Sequence, residues 1–246
     1  MEELAGKRVV VTGGGSGIGE ALVRLASKAG AEPIVLDYDL DAGGSVAAAN
    51  SSEFRQLDVS DQDQWEAVVK SLGKIDYAAL NAGIMTALPT EPLSSGDALT
   101  VHADRYKRVM AVNVDGVIFG LRTLFPVMSK RGGCITVTAS MAGLVPIAYD
   151  PIYAMSKHAV VGLVRSLAET KGPDSRLRVN SICPGGVATA LVPQQLVDLK
   201  ATMMDPEVIA SEIIDLWQRG AHGEVRVRLH SDLPAEVVSP PELKGM

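Results

Sequence analysis

What the chain lacks narrows its function first. It has two cysteines, Cys134 and Cys183, in 246 residues, and both stand in apolar runs. That setting suits reduced core thiols in a reducing cytoplasm and argues against a disulfide framework. The four histidines, at 102, 158, 222 and 230, are scattered and give no ligand spacing for zinc. Positive charge is also short: 23 Lys and Arg against 29 Asp and Glu leave a formal net charge of −6. Nucleic acid and anionic membrane surfaces are therefore disfavoured as partners, although backbone amides could still hold a small anionic ligand. The opening Met1-Glu2-Glu3-Leu4 is acidic where a secretory signal would be basic. No apolar run comes near the roughly 18 residues that a membrane span needs. With no repeat, low-complexity stretch or long linker, a single domain spanning 1–246 is expected.

What is present is an alternation of short apolar runs with longer segments of helical period. Strands are expected at 8–12, 33–37, 53–57, 75–80, 134–140, 178–183 and 224–229, and helices at 17–30, 61–72, 103–130 and 151–170. Runs such as Val9-Val10-Val11 and Ile34-Val35-Leu36 are apolar on every residue, as in strands covered by helices on both faces. Val225-Arg226-Val227-Arg228-Leu229 alternates with period two and reads as a half-exposed edge strand. The fold class that follows is α/β, a doubly wound, mostly parallel Rossmann-type sheet whose ligands bind beyond the carboxyl ends of its strands. Residues 231–246 contain three prolines and read as an extended tail, covering the edge strand or a neighbour's site, or disordered.

The first expected strand runs into Thr12-Gly13-Gly14-Gly15-Ser16-Gly17-Ile18-Gly19 and then a helix. Glycines there allow a tight turn and let backbone N–H groups approach a pyrophosphate, although any Gly-rich turn between a strand and a helix would look similar. Asp37 ends the second strand 18 residues after Gly19, close to the spacing of an acid that holds the adenosine ribose; the alternative is a surface turn residue. A carboxylate there repels a 2′-phosphate, Tyr38 and Asp39 supply no cation, and Ser16 stands where an arginine could grip that phosphate. NAD is thus expected over NADP. Asp58, with Val59 beside it, follows the third strand and is placed to reach the adenine amino group. Asn81-Ala82-Gly83, after the fourth, could let backbone pass beneath the cofactor, though both segments also suit plain turns.

Tyr153 and Lys157, four apart on an expected helix, share one face. Ser140 precedes Tyr153 by 13 residues, at the end of a strand beside the same crevice. Taken together, the glycines at 13, 17 and 19, Asn81-Ala82-Gly83, Asn113, Ser140, Tyr153-x-x-x-Lys157 and Pro184-Gly185 with Thr189 resemble the short-chain dehydrogenases/reductases over about residues 7–230.

The resemblance implies roles. Tyr153 would be the base in alcohol oxidation and the acid in ketone reduction. A phenol titrates near 10, so reaching neutrality requires about 4 kcal/mol of differential stabilisation. Lys157 and a positive nicotinamide would favour the phenolate, and Lys157 would also hold the nicotinamide ribose. Ser140 would orient the substrate oxygen, and Asn113, within the long helix, would anchor a water leading from Lys157 to solvent; a bent helix is the plainer reading of Asn113. Pro184, Gly185, Val187 and Thr189 would meet the nicotinamide.

Apolar residues around the expected mouth, Met141, Leu144, Val145, Ile147, Tyr149, Leu191, Val192, Met203 and Met204, suggest a lipophilic alcohol or ketone, or else lid and interface surface. Residues 191–204 are expected to form a mobile lid. Ala142-Gly143-Leu144-Val145-Pro146-Ile147 and Ser156-Lys157-His158 most resemble the NAD-linked 15-hydroxyprostaglandin dehydrogenase branch. That branch has a substrate-facing Gln where this chain has Asp150, whose carboxylate would repel an acidic substrate. The helices beginning at 103 and 151 resemble the family's dimerisation helices, implying a homodimer or homotetramer. The rival reading is a catalytically silent dinucleotide sensor, which would be expected to have lost the groups that this chain keeps.

Overall fold

Strands with no polar face need apolar cover on both sides, and the computed structural model supplies it. Residues 4–172 and 174–242 are described, apart from the side chains of residues 197 and 199–201; residues 243–246 of the expected tail lie outside this set. The strands are β1 (Arg8–Thr12), β2 (Glu32–Asp37), β3 (Glu53–Gln56), β4 (Tyr77–Leu80), β5 (Gly133–Thr138), β6 (Leu177–Pro184), β7 (Val225–Arg228) and β8 (Glu236–Val237). They form one sheet in the order β3-β2-β1-β4-β5-β6-β7-β8, and only the β7–β8 pairing is antiparallel.

The chain winds outward from β1 to β3 and then returns to β4 on the other side of β1. That reversal opens a crevice beyond the ends of β1 and β4. Side chains alternate across β1, so Val10 enters one core with Trp65, Leu124 and Ile135, while Val9 and Val11 enter the other with Leu22, Ile213 and Trp217.

Helices α1 (Gly17–Lys28), α3 (Gln62–Leu72) and α6 (Pro151–Lys171) stand where the sequence period puts them. Two others, α2 (Leu40–Ala49) and α7 (Pro206–Arg219), were not among the expected elements. In α2, Gly43 and Gly44 weaken the helical pattern, and the Asp39 side chain caps the first turn by accepting from the Asp41 and Ala42 N–H groups. In α7 the start signal was there, Asp205 as cap with Pro206 at the first position, followed by buried Ile209, Ile213, Leu216 and Trp217.

The expected 103–130 helix is continuous but not uniform: α4 (Ala103–Met110) and α5 (Gly116–Met128) are joined by a π-turn, Ala111–Asp115, that contains Asn113. By length and composition alone, Ala103–Met128 could cross a membrane, which corrects the expectation that nothing approaches a span. In the fold its Val112, Val117, Leu121, Leu124 and Met128 are buried in the core.

The last strand expectation is also corrected. β7 is not the edge, because β8 pairs beyond it, the Val238 N–H donates to the Val225 carbonyl, and Arg165 donates to the Val238 carbonyl. The period-two polarity of β7 reflects ion pairing: Arg226 is bound by Glu212, Asp215 and Glu224, and Arg228 lies 3.6 Å from Glu212.

Candidate active site

The crevice begins at the turn between β1 and α1. Gly13 has φ of +63°, and a Cβ on Gly19 would lie 2.0 Å from the Gly13 carbonyl oxygen, so only glycine lets the helix start this close to the strand. Ser16 precedes α1 and makes no side-chain cap, leaving the leading helix amides unclaimed by any side chain. Such a terminus suits a pyrophosphate. Thr12, which the sequence reading did not single out, accepts from the Asn81 and Ala82 N–H groups, and Asn81 in turn accepts from the Thr138 hydroxyl. One hydroxyl and one amide thereby lock the ends of β1, β4 and β5 together.

Asp37 is prepared on both oxygens: one accepts from the Gly15 N–H at 2.8 Å and the other from the Asp39 N–H at 2.9 Å. Tyr38 beside it is exposed. Asp58 follows β3, where it accepts from the Ser60 N–H and hydroxyl and from Arg108. Burial pushes its carboxyl up, but the Ser60 and Arg108 contacts outweigh this and hold it below the usual range. Val59 is buried against Gly116. Asp37, Tyr38, Asp58 and Val59 are not among the residues that line the cleft, which runs from Gly13, Ser16, Gly17 and Ile18 through Asn81, Ala82 and Gly83 to Pro184, Gly185, Val187 and Thr189.

At the inner end of this cleft, which has a volume of about 440 Å³, Ser140, Tyr153 and Lys157 converge. Ser140 lies two residues beyond the end of β5 and accepts from the Ala142 N–H. The Ser140 side chain lies close enough to the Tyr153 phenol to favour its ionised form, and both line the cleft. Lys157 lies one turn further along α6, its Nζ 5.6 Å from the centre of the Tyr153 ring and donating to the Thr138 carbonyl at 2.9 Å. Burial pushes the phenol up to about 12 and pulls the Lys157 ammonium down to about 8. The sequence reading expected the lysine, together with a positive nicotinamide, to favour the phenolate; in the free chain burial dominates.

Asn113 is fully buried in the π-turn. It accepts from the Ile84 N–H and donates to the Ile84 carbonyl and the Ser156 hydroxyl. A Cβ on Gly83 would lie 3.2 Å from Lys157 Nζ and 3.4 Å from Asn113 Oδ1, so both groups face the same bare backbone. The bent helix and the site are therefore the same feature.

Other expectations need correction. Asp150 does not face substrate: it is buried at the start of α6, accepting from the Tyr153 and Thr86 N–H groups. Being the helix cap, it is turned inward. Of the expected mouth residues, Met141, Ile147, Tyr149, Leu191, Val192 and Met203 line the cleft. Leu144 packs on the core, Val145 points outward, and Met204 is buried where it bridges Val187. Met85, Pro89, Pro193 and Leu196 line the cleft unforeseen. Met85, Pro89 and Pro193 come from loops with no periodicity to mark them, and Leu196 from the short helical segment that follows. The expected lid segment is partly helical, Gln194–Thr202, and is fastened at its start: the Gln194 N–H donates to the Pro89 carbonyl and the Gln195 amide to the Glu91 carbonyl.

The fold and this cluster together define a class: α/β proteins that place a Ser-Tyr-Lys cluster in one cleft with a Gly-rich turn. A family profile described as short chain dehydrogenase matches residues 7–199. Among curated relatives, 2,5-dichloro-2,5-cyclohexadiene-1,4-diol dehydrogenase of Sphingobium indicum is 36% identical over 201 residues, covering 78% of this chain and 77% of its own. Human 15-hydroxyprostaglandin dehydrogenase [NAD(+)] is 33% identical over 203 residues, covering 76% and 70%. Similar solved structures include a short chain dehydrogenase/reductase of Burkholderia phymatum in complex with NAD (TM-score 0.78, 25% identity, 90% and 89% covered) and BdcA in complex with NADPH (TM-score 0.81, 27% identity, 93% and 95% covered). The chain belongs to the short chain dehydrogenase family.

Gly83→Ala is expected to fold but to lose about tenfold or more in dehydrogenase turnover, because its methyl would press on Lys157 Nζ and small displacements at a reacting centre are costly. Steady-state kinetics beside an unfolding curve checks this; unchanged turnover contradicts the tight fit between Gly83 and Lys157.

Proposed function

We propose that the chain is an NAD-dependent oxidoreductase that moves hydride between NAD and a lipophilic secondary alcohol or ketone. The observation that carries this reading is that Tyr153, Ser140 and Lys157 line one cleft with the Gly-rich turn, Lys157 Nζ lying 5.6 Å from the centre of the Tyr153 ring. When bound, the dinucleotide supplies a carbon that accepts or gives hydride and, when oxidised, a positive charge. In alcohol oxidation, Ser140 and Tyr153 hold the substrate oxygen, and Tyr153 takes its proton; in ketone reduction Tyr153 gives the proton back. Lys157 favours the phenolate and binds the nicotinamide ribose, and Asn113 fixes the π-turn beside it. Pro184, Gly185, Val187 and Thr189 border the nicotinamide end.

Asp37 supports NAD over NADP. Both of its oxygens are held in place by backbone N–H groups, leaving a fixed negative charge where a 2′-phosphate would come. The solved neighbours bind NAD in one case and NADPH in the other, so the choice rests on Asp37 in this chain. The substrate end is walled by Met85, Met141, Ile147, Leu191, Val192 and Met203, which favours apolar substituents around the carbinol. Tyr106 and Val127 on the long helix and Met155 on α6 are each more than 40% exposed, and they support a homodimer or homotetramer formed through these helices. The buried, unbonded cysteines are in keeping with a reducing cytoplasm.

Tyr153→Phe should lose at least about a hundredfold in turnover while still binding NADH, followed by its fluorescence; near-normal turnover removes Tyr153 from the chemistry. Against a panel of lipophilic secondary alcohols, kcat/KM with NAD should exceed that with NADP by about a hundredfold or more, since a desolvated like-charge contact costs several kcal/mol. Comparable values with the two coenzymes would refute the role given to Asp37. NADH binding without turnover on any alcohol would favour a sensor instead.

A further inference from the structure

Arg108 lies outside every group assigned so far, yet it reaches the adenosine end of the crevice. It stands on α4, five residues before Asn113, and its Nη1 donates to Asp58 Oδ2 at 3.2 Å and to the Ser60 hydroxyl at 3.0 Å. Its guanidinium carbon is 5.8 Å from the centre of the Tyr38 ring. Three segments distant in sequence, those following β2 and β3 and the helix α4, thus bring an aromatic ring, a carboxylate and a planar cation to one spot. The other Asp58 oxygen is taken by the Ser60 N–H and hydroxyl, so the carboxylate is clamped from both sides. The Arg108 side chain remains 46% exposed and Tyr38 64% exposed, leaving flat surface open to solvent.

A flat cation and an aromatic ring beside an oriented carboxylate suit a purine that carries an exocyclic amino group. The amino group donates to the carboxylate, and the base lies against guanidinium and ring. We propose that Arg108 selects the adenine of the dinucleotide, covering the base while holding Asp58 in position to accept from its amino group. This rests on the dinucleotide reading above and adds to it a residue that acts on the base. The guanidinium is already committed to Asp58 and Ser60, so a 2′-phosphate would have to displace both, and Arg108 is therefore no phosphate reader.

Calorimetric titration with ADP-ribose and with 2′-phospho-ADP-ribose tests this without turnover. Arg108→Ala should bind ADP-ribose about tenfold more weakly than the wild type, with an unfolding midpoint within about 2 °C, since an exposed ion pair adds little stability. Arg108→Lys keeps the charge but not the flat surface, so it should lose most of the same affinity, and it carries the test if the alanine variant fails to fold. Affinity for ADP-ribose within twofold of the wild type in both variants overturns the proposal. So does a loss confined to the 2′-phosphorylated ligand. If the wild-type chain does not bind ADP-ribose at all, the dinucleotide reading falls with it; if it binds and the variants match it, only the role of Arg108 falls.

Discussion

The site depends on keeping one ammonium group out of water. Lys157 Nζ is buried and donates to the Thr138 carbonyl at the end of β5. Burying a charge with so little company is unfavourable, and the pull of its acidity down to about 8 expresses this. The surroundings are shaped to that one group. Gly83 has no side chain that would strike it, the π-turn carries Asn113 to the same backbone, and Asp150 caps α6 so that Tyr153 and Lys157 start in register. Tyr153 is half-buried, and its phenol is pushed the opposite way, up to about 12. Each group resists its charged form in the free chain, so a positive ring arriving beside them has the largest electrostatic effect exactly where a proton must move.

Much of this was legible in the sequence because strand runs and glycine spacing are local signals. The all-apolar Val9-Val10-Val11 marks a doubly covered strand, and the glycines at 13, 17 and 19 mark a turn whose tightness the Gly19 contact explains. Helix α6 was legible for the same reason, since four-residue spacing puts Tyr153 and Lys157 on one face. What escaped depends on tertiary context. Nothing in 224–229 says that Glu212 and Asp215 of α7 join the neighbouring Glu224 in neutralising its arginines, so the strand reads as an exposed edge when β8 covers it. Asp150 was misread because alignment with a substrate-facing position overrode a cap signal, an acidic residue directly before Pro151 at a helix start. The cleft wall was half-legible: the loops that supply Met85, Pro89 and Pro193 carry no period to mark which side chains turn inward.

The two ends of the crevice use opposite strategies. At the inner end burial works against the charged forms of Tyr153 and Lys157, while Asp37 and Asp58 are oriented by backbone and side-chain donors. Recognition by preoriented polar groups tolerates solvent, whereas proton transfer from a phenol gains most in a dry pocket. The long helix joins the two, carrying Arg108 to the outer end and, within the next two turns, Asn113 to the inner one.

Ultraviolet difference titration of the tyrosines, wild type against Tyr153→Phe, tests the central claim most directly when run with and without NAD. The account predicts that the Tyr153 phenol titrates above the ordinary value near 10 in the free chain and falls toward neutrality once NAD is bound. A phenol whose titration NAD leaves unmoved would contradict it.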